Sequence, residues 1–214
     1  SDKTLLLEVD HAGAEAARRD IAPFAELERA PEHIHTYRVT PLGLWNARAA
    51  GDDAEQVIDA LLRHSRYAVP QGLLVDIAET MARYGRLTIE KDPAHGLVLR
   101  TTDRPVLEEV LRHRRIEPLL GERVDPDTIL IHPSERGHLK QQLLKIGWPA
   151  EDLAGYVNGE AHPIALREDG WVMRPYQRQA VEGFWHGGSG VVVLPCGAGK
   201  TLVHFRPPYG EFLV

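Results

Sequence analysis

VVVLPCGAGKT, residues 191–201, joins a continuous apolar run to a glycine-rich turn that ends in Lys-Thr. A short apolar run bounded by turn residues is the pattern of a strand covered on both faces. A loop of this composition after such a strand is suited to holding phosphate groups on backbone amides. Gly197 and Gly199 let those amides turn inward, Lys200 brings a cation to the β and γ phosphates, and the Thr201 hydroxyl is placed to ligate magnesium. The strict spacing wants glycine six residues before the lysine, where this chain has Leu194. The competing reading is an ordinary tight turn between a strand and a helix. Context argues against it, because WVMRPYQRQAVEGFW (171–185) reads as a helix and HGGSG (186–190) as a turn. Helix, turn and apolar strand open an α/β layer.

Working outward to the other end, TLLLEVD from Thr4 predicts a buried strand, the Ala-rich run from Ala12 to Ile21 a helix stopped by Pro23, and HIHTYRV from His33 a second strand. Thr40 and Pro41 start a helix that Gly51 closes. Asp52 or Asp53 caps the next, with Val57, Leu61 and Leu62 on one side. A third runs from about Pro70 to Tyr84 with Leu73, Leu74, Ile77 and Met81 at helical spacing, and a hairpin follows from Arg86 to Thr101. Three helices and a hairpin are the order of a winged-helix unit. Asp76 and Glu79 on the third helix suit packing or protein docking better than groove reading. From Asp103, RPVLEEVLRHRRIEPLL predicts a helix ending in Arg112, Arg114 and Arg115, TILIH from Thr128 a strand, SERGHLKQQLLKIG a helix capped by Ser134, WPAEDLAGY a short helix, and HPIAL from His162 a strand.

The expected fold class is mixed α+β and α/β. A winged-helix-like α+β unit spans 1–102 and a smaller α+β unit 103–169, and the start of a P-loop layer spans 170–214. A chain of 214 residues buries about 70% of its unfolded surface without a covalent staple. Hydrophobic residues make up 43% and charged residues 26%, and no apolar run approaches the ~20 residues of a membrane span. Cys196 is the only cysteine, which excludes an intrachain disulfide and a cysteine-rich zinc site and suits a reducing, cytoplasmic setting. A formal charge of −6 argues against coating nucleic acid by bulk charge and leaves room for a local basic patch. His33 and His35 share a strand face without an evident third ligand, and Ser134 and Ser189 lack His/Asp partners for hydrolase chemistry.

RPYQ at 174–177 followed by SGVVVLPCGAGKTLV closely resembles the opening of the helicase core in the XPB family of superfamily 2 DNA repair helicases. PEHIHTYRVTPLGLWNARAAG and YAVPQGLLVDIAETMARYGRL look like that family's N-terminal extension, and KQQLLKIGWPAEDLAGY falls where it has a small damage-recognition domain. The resemblance covers the chain to about Val203. It implies a 3′–5′ ATP-dependent DNA helicase of nucleotide excision repair, nucleoid-associated in a prokaryote. In that setting Gln177 reads adenine, and Gly197, Ala198, Gly199, Lys200 and Thr201 hold the triphosphate and its magnesium.

The family's acidic box and second RecA-like domain lie downstream of this loop, and only thirteen residues follow Thr201. LVHFRPPYGEFLV departs from the family from about residue 204, with Pro207, Pro208 and Gly210 against a helix. The expectation is a chain cut inside its motor, with no ATP or magnesium bound, no helicase activity alone, and a VVVL strand open to strand-swapped oligomers. Expected partners are forked, bubbled or damaged DNA and, as the alternative, a regulatory protein, with a residual ATP-binding module through Lys200 as a further alternative; no membrane partner is expected. Arg112, Arg114 and Arg115 either contact phosphates or form a solvated helix end. Trp148 and Tyr156 either stack on bases or pack in the core.

Overall fold

The computed structural model describes residues 3–155, 172–187 and 191–200. They belong to two compact units, Ser1–Gly155 and Tyr156–Val214. The architecture is mixed α+β, with two sheets and seven α-helices among the described residues. None of these helices is long and apolar enough to cross a membrane.

The first unit holds two hydrophobic cores. In the first, β1 (Thr4–Glu8), β2 (Ala25–Arg29) and β3 (Ile34–Val39) form an antiparallel sheet in the order β1-β3-β2. Around it lie α1 (Ala14–Ile21), α2 (Pro41–Ala50), α3 (Ala54–His64) and α4 (Gln71–Met81). Local chemistry sets the helix ends. Thr40 Oγ1 accepts from the Gly43 amide at 3.0 Å, Pro41 takes the first helical position, and Gly51 leaves the helix at φ 108°. Asp53 and Gln56 exchange side chain to backbone bonds of 2.8 and 2.7 Å, a full capping box. Gly43 is required by packing, because a Cβ there would sit 2.6 Å from the Phe24 carbonyl oxygen. Val57 and Leu61 are buried as expected, but Leu62 is 51% exposed and Ala60 takes its place in the core. At 100° per residue Leu62 lies off the buried stripe.

The second core reorganises what the sequence suggested. β4 (Leu87–Asp92) and β5 (Gly96–Thr101) form the expected hairpin, but it joins β6 (Leu120–Asp125), β7 (Thr128–Ile131) and β8 (Ala150–Asp152) in a sheet ordered β6-β7-β5-β4-β8. The boundary expected at 102 therefore falls inside a shared core, and the three helices before it lose the hairpin that a winged helix needs. Ile89, Leu99 and Ile129 stand in one row across β4, β5 and β7. They pack with Val106, Leu107 and Val110 of α5 (Arg104–Leu111) and with Leu139 and Leu143 of α6 (Arg136–Lys145). Burying each large aliphatic side chain contributes roughly 1.5–3 kcal/mol.

Three local expectations change here. Residues 150–152 are a strand paired parallel to Leu87–Ile89, where a helix was expected. Pro149 and a parallel partner more than sixty positions earlier in the chain override the helical composition. Ser134 caps nothing in α6; it lies in a 3-10 turn, and its hydroxyl meets His132 Nδ1 at 2.7 Å. The helix expected to carry the arginine cluster stops at Leu111.

Asp152 ties α6 to β8. Its carboxylate accepts from Arg136 Nε at 3.0 Å, Arg136 Nη2 at 2.6 Å and Lys140 Nζ at 2.8 Å, with the side chain 13% exposed. Burial pushes this carboxyl up, and the bonds and charges of Arg136 and Lys140 outweigh it and hold it below the ordinary value of 3.8.

In the second unit, α7 (Pro175–Gly187) forms as expected, with Met173 and Val181 buried. Residues 191–195, expected as a strand, pair with no strand among the described residues, and Val191 and Val193 are 90% and 87% exposed. Sheet structure needs a hydrogen-bonded neighbour, and the apolar run supplies only one side of such a pair. The strand expected from His162, the turn at 167–170 and the tail from Thr201 lie outside the described residues.

Replacing Asp152 by Ala takes the carboxylate away from Arg136 and Lys140 and should cost about 1–3 kcal/mol in thermal or urea unfolding. A carboxyl with a lowered folded pKa stabilises fully above its unfolded pKa and loses that contribution as pH falls through the folded value. Asp152→Asn should therefore flatten the loss of stability below about pH 4, where the ordinary value of 3.8 lies; an unchanged acid limb would count against this role.

Candidate nucleic-acid and nucleotide sites

Arg112, Arg114 and Arg115 leave the end of α5 on a tight turn. The His113 amide donates to Val110 O at 3.1 Å and the Ile116 amide to His113 O at 2.8 Å, and Ile116 is fully buried. Pro118 then sits in a 3-10 turn, Glu117–Leu119, because it has no amide to continue a helix. With Ile116 anchored, the neighbouring arginines project into solvent. The Arg115 amide donates to His113 Nδ1 at 3.4 Å, which closes the turn on itself.

The end of α6 meets this turn. Arg112, His113, Arg114, Arg115, Gln142, Lys145 and Ile146 line one recess of about 530 Å³. Gln142, Lys145 and Ile146 fall at positions i, i+3 and i+4 and so share a helix face. No carboxylate lines the recess, and none of its arginines or its lysine takes part in an ion pair among the described residues. Elsewhere in the same unit arginines are paired, as Arg86 with Asp103 at 2.9 Å and Arg104 with Asp127 at 2.6 Å. Lys145, Gln142 and His113 were missed in the sequence. Their spacing was visible, but not which helix end they would meet.

Trp148 takes the packing alternative. Its ring lies under the Arg83 guanidinium, 5.1 Å from the centroid, and its Nε1 donates to Glu109 at 3.0 Å. Arg83 also donates to the Gly147 carbonyl at 3.3 Å. The indole thus clasps the end of α4 to the α6–β8 connection, with one face already occupied. Tyr156 lies outside the described residues.

The glycine-rich loop of the second unit turns on two left-handed residues. Gly197 and Gly199 take φ of 77° and 74°, a region that favours glycine, and Lys200 begins a helical turn. The Lys200 ammonium donates to the carbonyls of Leu194 and Pro195 at 3.1 and 3.2 Å, which holds it over the loop. Left-handed glycines beside a lysine are a donor set that fits a phosphate chain. Lys200 would supply the countercharge. Thr201, the expected magnesium ligand, lies outside the described residues.

Gln177 is brought to this loop, in a role that the sequence did not foretell. It is buried, its Oε1 accepts from the Arg174 amide at 2.9 Å, and its Nε2 donates to the carbonyls of Ala198 at 2.8 Å and Gly199 at 3.3 Å. Tyr176 adds a hydroxyl bond to Ala198 O at 3.1 Å. The carboxamide that the resemblance assigns to adenine is here a brace between α7 and the loop.

A family model described as helicase conserved C-terminal domain matches residues 1–125, ahead of the glycine-rich loop. The DNA 3′-5′ helicase XPB of Kineococcus radiotolerans is 75% identical over 203 residues, covering 95% of this chain and 36% of that protein. Its namesake in Mycobacterium tuberculosis is 74% identical, with 95% and 37% covered. The chain belongs to the XPB helicase family. More distant XPB relatives match across the same length. The general transcription and DNA repair factor IIH helicase/translocase subunit XPB of Enterocytozoon bieneusi is 25% identical, with 94% of this chain and 34% of that protein covered. The chain spans about a third of the length of the curated XPB relatives it matches.

Gln177→Leu should release the brace on the loop. Removing hydrogen bonds worth about 1 kcal/mol each raises the open population roughly five- to thirtyfold, and trypsin should cut after Lys200 faster by a similar factor. Unchanged cleavage would show that the loop does not depend on Gln177.

Proposed function

We propose that this chain is the DNA-engaging region of an XPB-type ATP-dependent helicase of nucleotide excision repair in the cytoplasm, holding forked, bubbled or damaged DNA ahead of the motor. One observation carries this reading: four cations, Arg112, Arg114, Arg115 and Lys145, gather without a carboxylate around one recess on a chain of net charge −6. Part of that gathering is explained by helix ends, since the C-termini of α5 and α6 both lie there. Each contributes about half a negative charge, which leaves a net positive charge of about three for phosphates. The damage-recognition-like part in this reading is residues 103–169, whose described portion supplies β6, β7 and β8 of the second sheet. ATP and magnesium belong to the whole enzyme, through the loop at 197–200 and Thr201, and this chain alone is not a helicase.

A second reading, docking of a regulatory protein subunit, is favoured by Leu6 and Ile34, 69% and 44% exposed. They lie two positions apart in register and so on the same side of the β1–β3 pair, Leu6 opposite Thr36 and Ile34 opposite Glu8. The relative from Enterocytozoon bieneusi is itself named as a subunit of a larger factor.

Fluorescence anisotropy of a labelled forked DNA across several salt concentrations tests the first reading. Affinity should fall linearly on a log-log plot, and the Arg112/Arg114/Arg115 alanine triple variant should lower the slope by about 2–3 and weaken binding roughly 10- to 100-fold. No binding at low salt would move the assignment to protein docking. Steady ATP turnover by this chain, abolished in Lys200→Ala, would overturn the claim that it lacks motor activity.

A further inference from the structure

We infer that the recess between α5 and α6 holds one unpaired nucleotide of a DNA strand, its phosphate on Arg114, Arg115 and Lys145 and its base edge on the carboxamide of Gln142. This rests on the DNA-engaging reading and narrows it to single-stranded DNA. Gln142 is the deciding residue. It is only 8% exposed, and its side chain makes no hydrogen bond within the described protein. Its carboxamide nitrogen and oxygen still reach water, so a group entering beside them exchanges solvent for a paired donor and acceptor. The same side chain lines the recess, so a group entering there can satisfy it.

Phosphate alone does not account for that side chain. A phosphodiester only accepts hydrogen bonds, so it would use the Gln142 amino group and leave its carbonyl unmet. Base edges carry donors beside acceptors and match a carboxamide in pairs. The recess, about 530 Å³, is open to solvent and its volume falls within the range of small-molecule sites. Ile146 gives it an apolar wall against which a ring or sugar can rest. A paired base has its edge committed to its partner inside the stack, whereas an unpaired one can be splayed into a pocket. The turn at 112–115 is fixed by its own backbone bonds and by buried Ile116, so the cations need little reorganisation to receive the strand.

The test uses the whole chain and anisotropy at one fixed, low salt concentration, comparing a labelled single strand of about a dozen nucleotides with its blunt duplex. The strand should bind about tenfold more tightly than the duplex. Gln142→Met, which keeps the buried volume, should weaken single-strand binding about fivefold or more while leaving duplex binding unchanged. Lys145→Ala, at an exposed position, should weaken both. A duplex bound as tightly as the strand, or a Gln142→Met variant that melts normally and binds the strand like the parent, overturns the nucleotide recess and leaves DNA engagement standing. Absence of binding to either DNA sinks both.

Discussion

Parallel pairing of β8 with β4 is the contact on which the arrangement of the first unit depends. Three residues, Ala150–Asp152, lie against Leu87–Ile89, and the Leu153 amide extends the ladder to Ile89 O at 2.8 Å. Such a short strand cannot persist on its own. It is held by the Asp152 bonds to Arg136 and Lys140, which fix α6 to the same edge. Because only Ile146, Gly147, Trp148 and Pro149 separate α6 from β8, the pairing also fixes where α6 ends. That end is brought to the turn after α5, and the basic recess is the result. Trp148, placed under Arg83 by the same connection, links this core to the end of α4.

The division of arginines follows from this. Arg136, Arg86 and Arg104 face carboxylates and serve the fold, and their pairs are short and partly shielded. Arg112, Arg114 and Arg115 share their residue type but face none among the described residues. Sequence composition cannot separate the two groups, since RHRR and the paired arginines all lie near helix ends or turns. What separates them is which carboxylates the topology delivers, and topology here depends on pairings between distant segments.

The same distinction explains how much was legible. Caps on α2 and α3 were readable because a cap is a contact within four residues, and Thr40, Asp53 and Gly51 carry it in their own side chains or backbone freedom. The buried stripe of α4, Leu73, Ile77 and Met81, was readable from period alone. By contrast β2, β6 and β8 have weak patterns and exist through their partners; AELER and LGERVD are largely polar and lie at sheet edges. Residues 191–195 fail in the opposite way, with a strong pattern and no neighbour among the described residues. At the candidate sites, the arginines and the glycine-lysine loop were visible as local motifs. Gln142 and Lys145 were not, because only the meeting of two helix ends gives them a role.

Leaving four cations uncompensated in one recess works against folding, for like charges at close range repel and the helix ends offset only part of that. Fold stability alone would favour a carboxylate among them, as it has one between Arg136 and Lys140. A compact chain with 31 acidic residues against 25 lysines and arginines has carboxylates to spare. Their absence from this one concavity among the described residues, together with a glutamine carboxamide that opens on it without a hydrogen bond there, leaves both interactions available to an incoming ligand. A ligand that is anionic at one end and carries a donor beside an acceptor at the other completes them at once. That complementarity, more than the number of basic residues, ties the recess to a nucleotide.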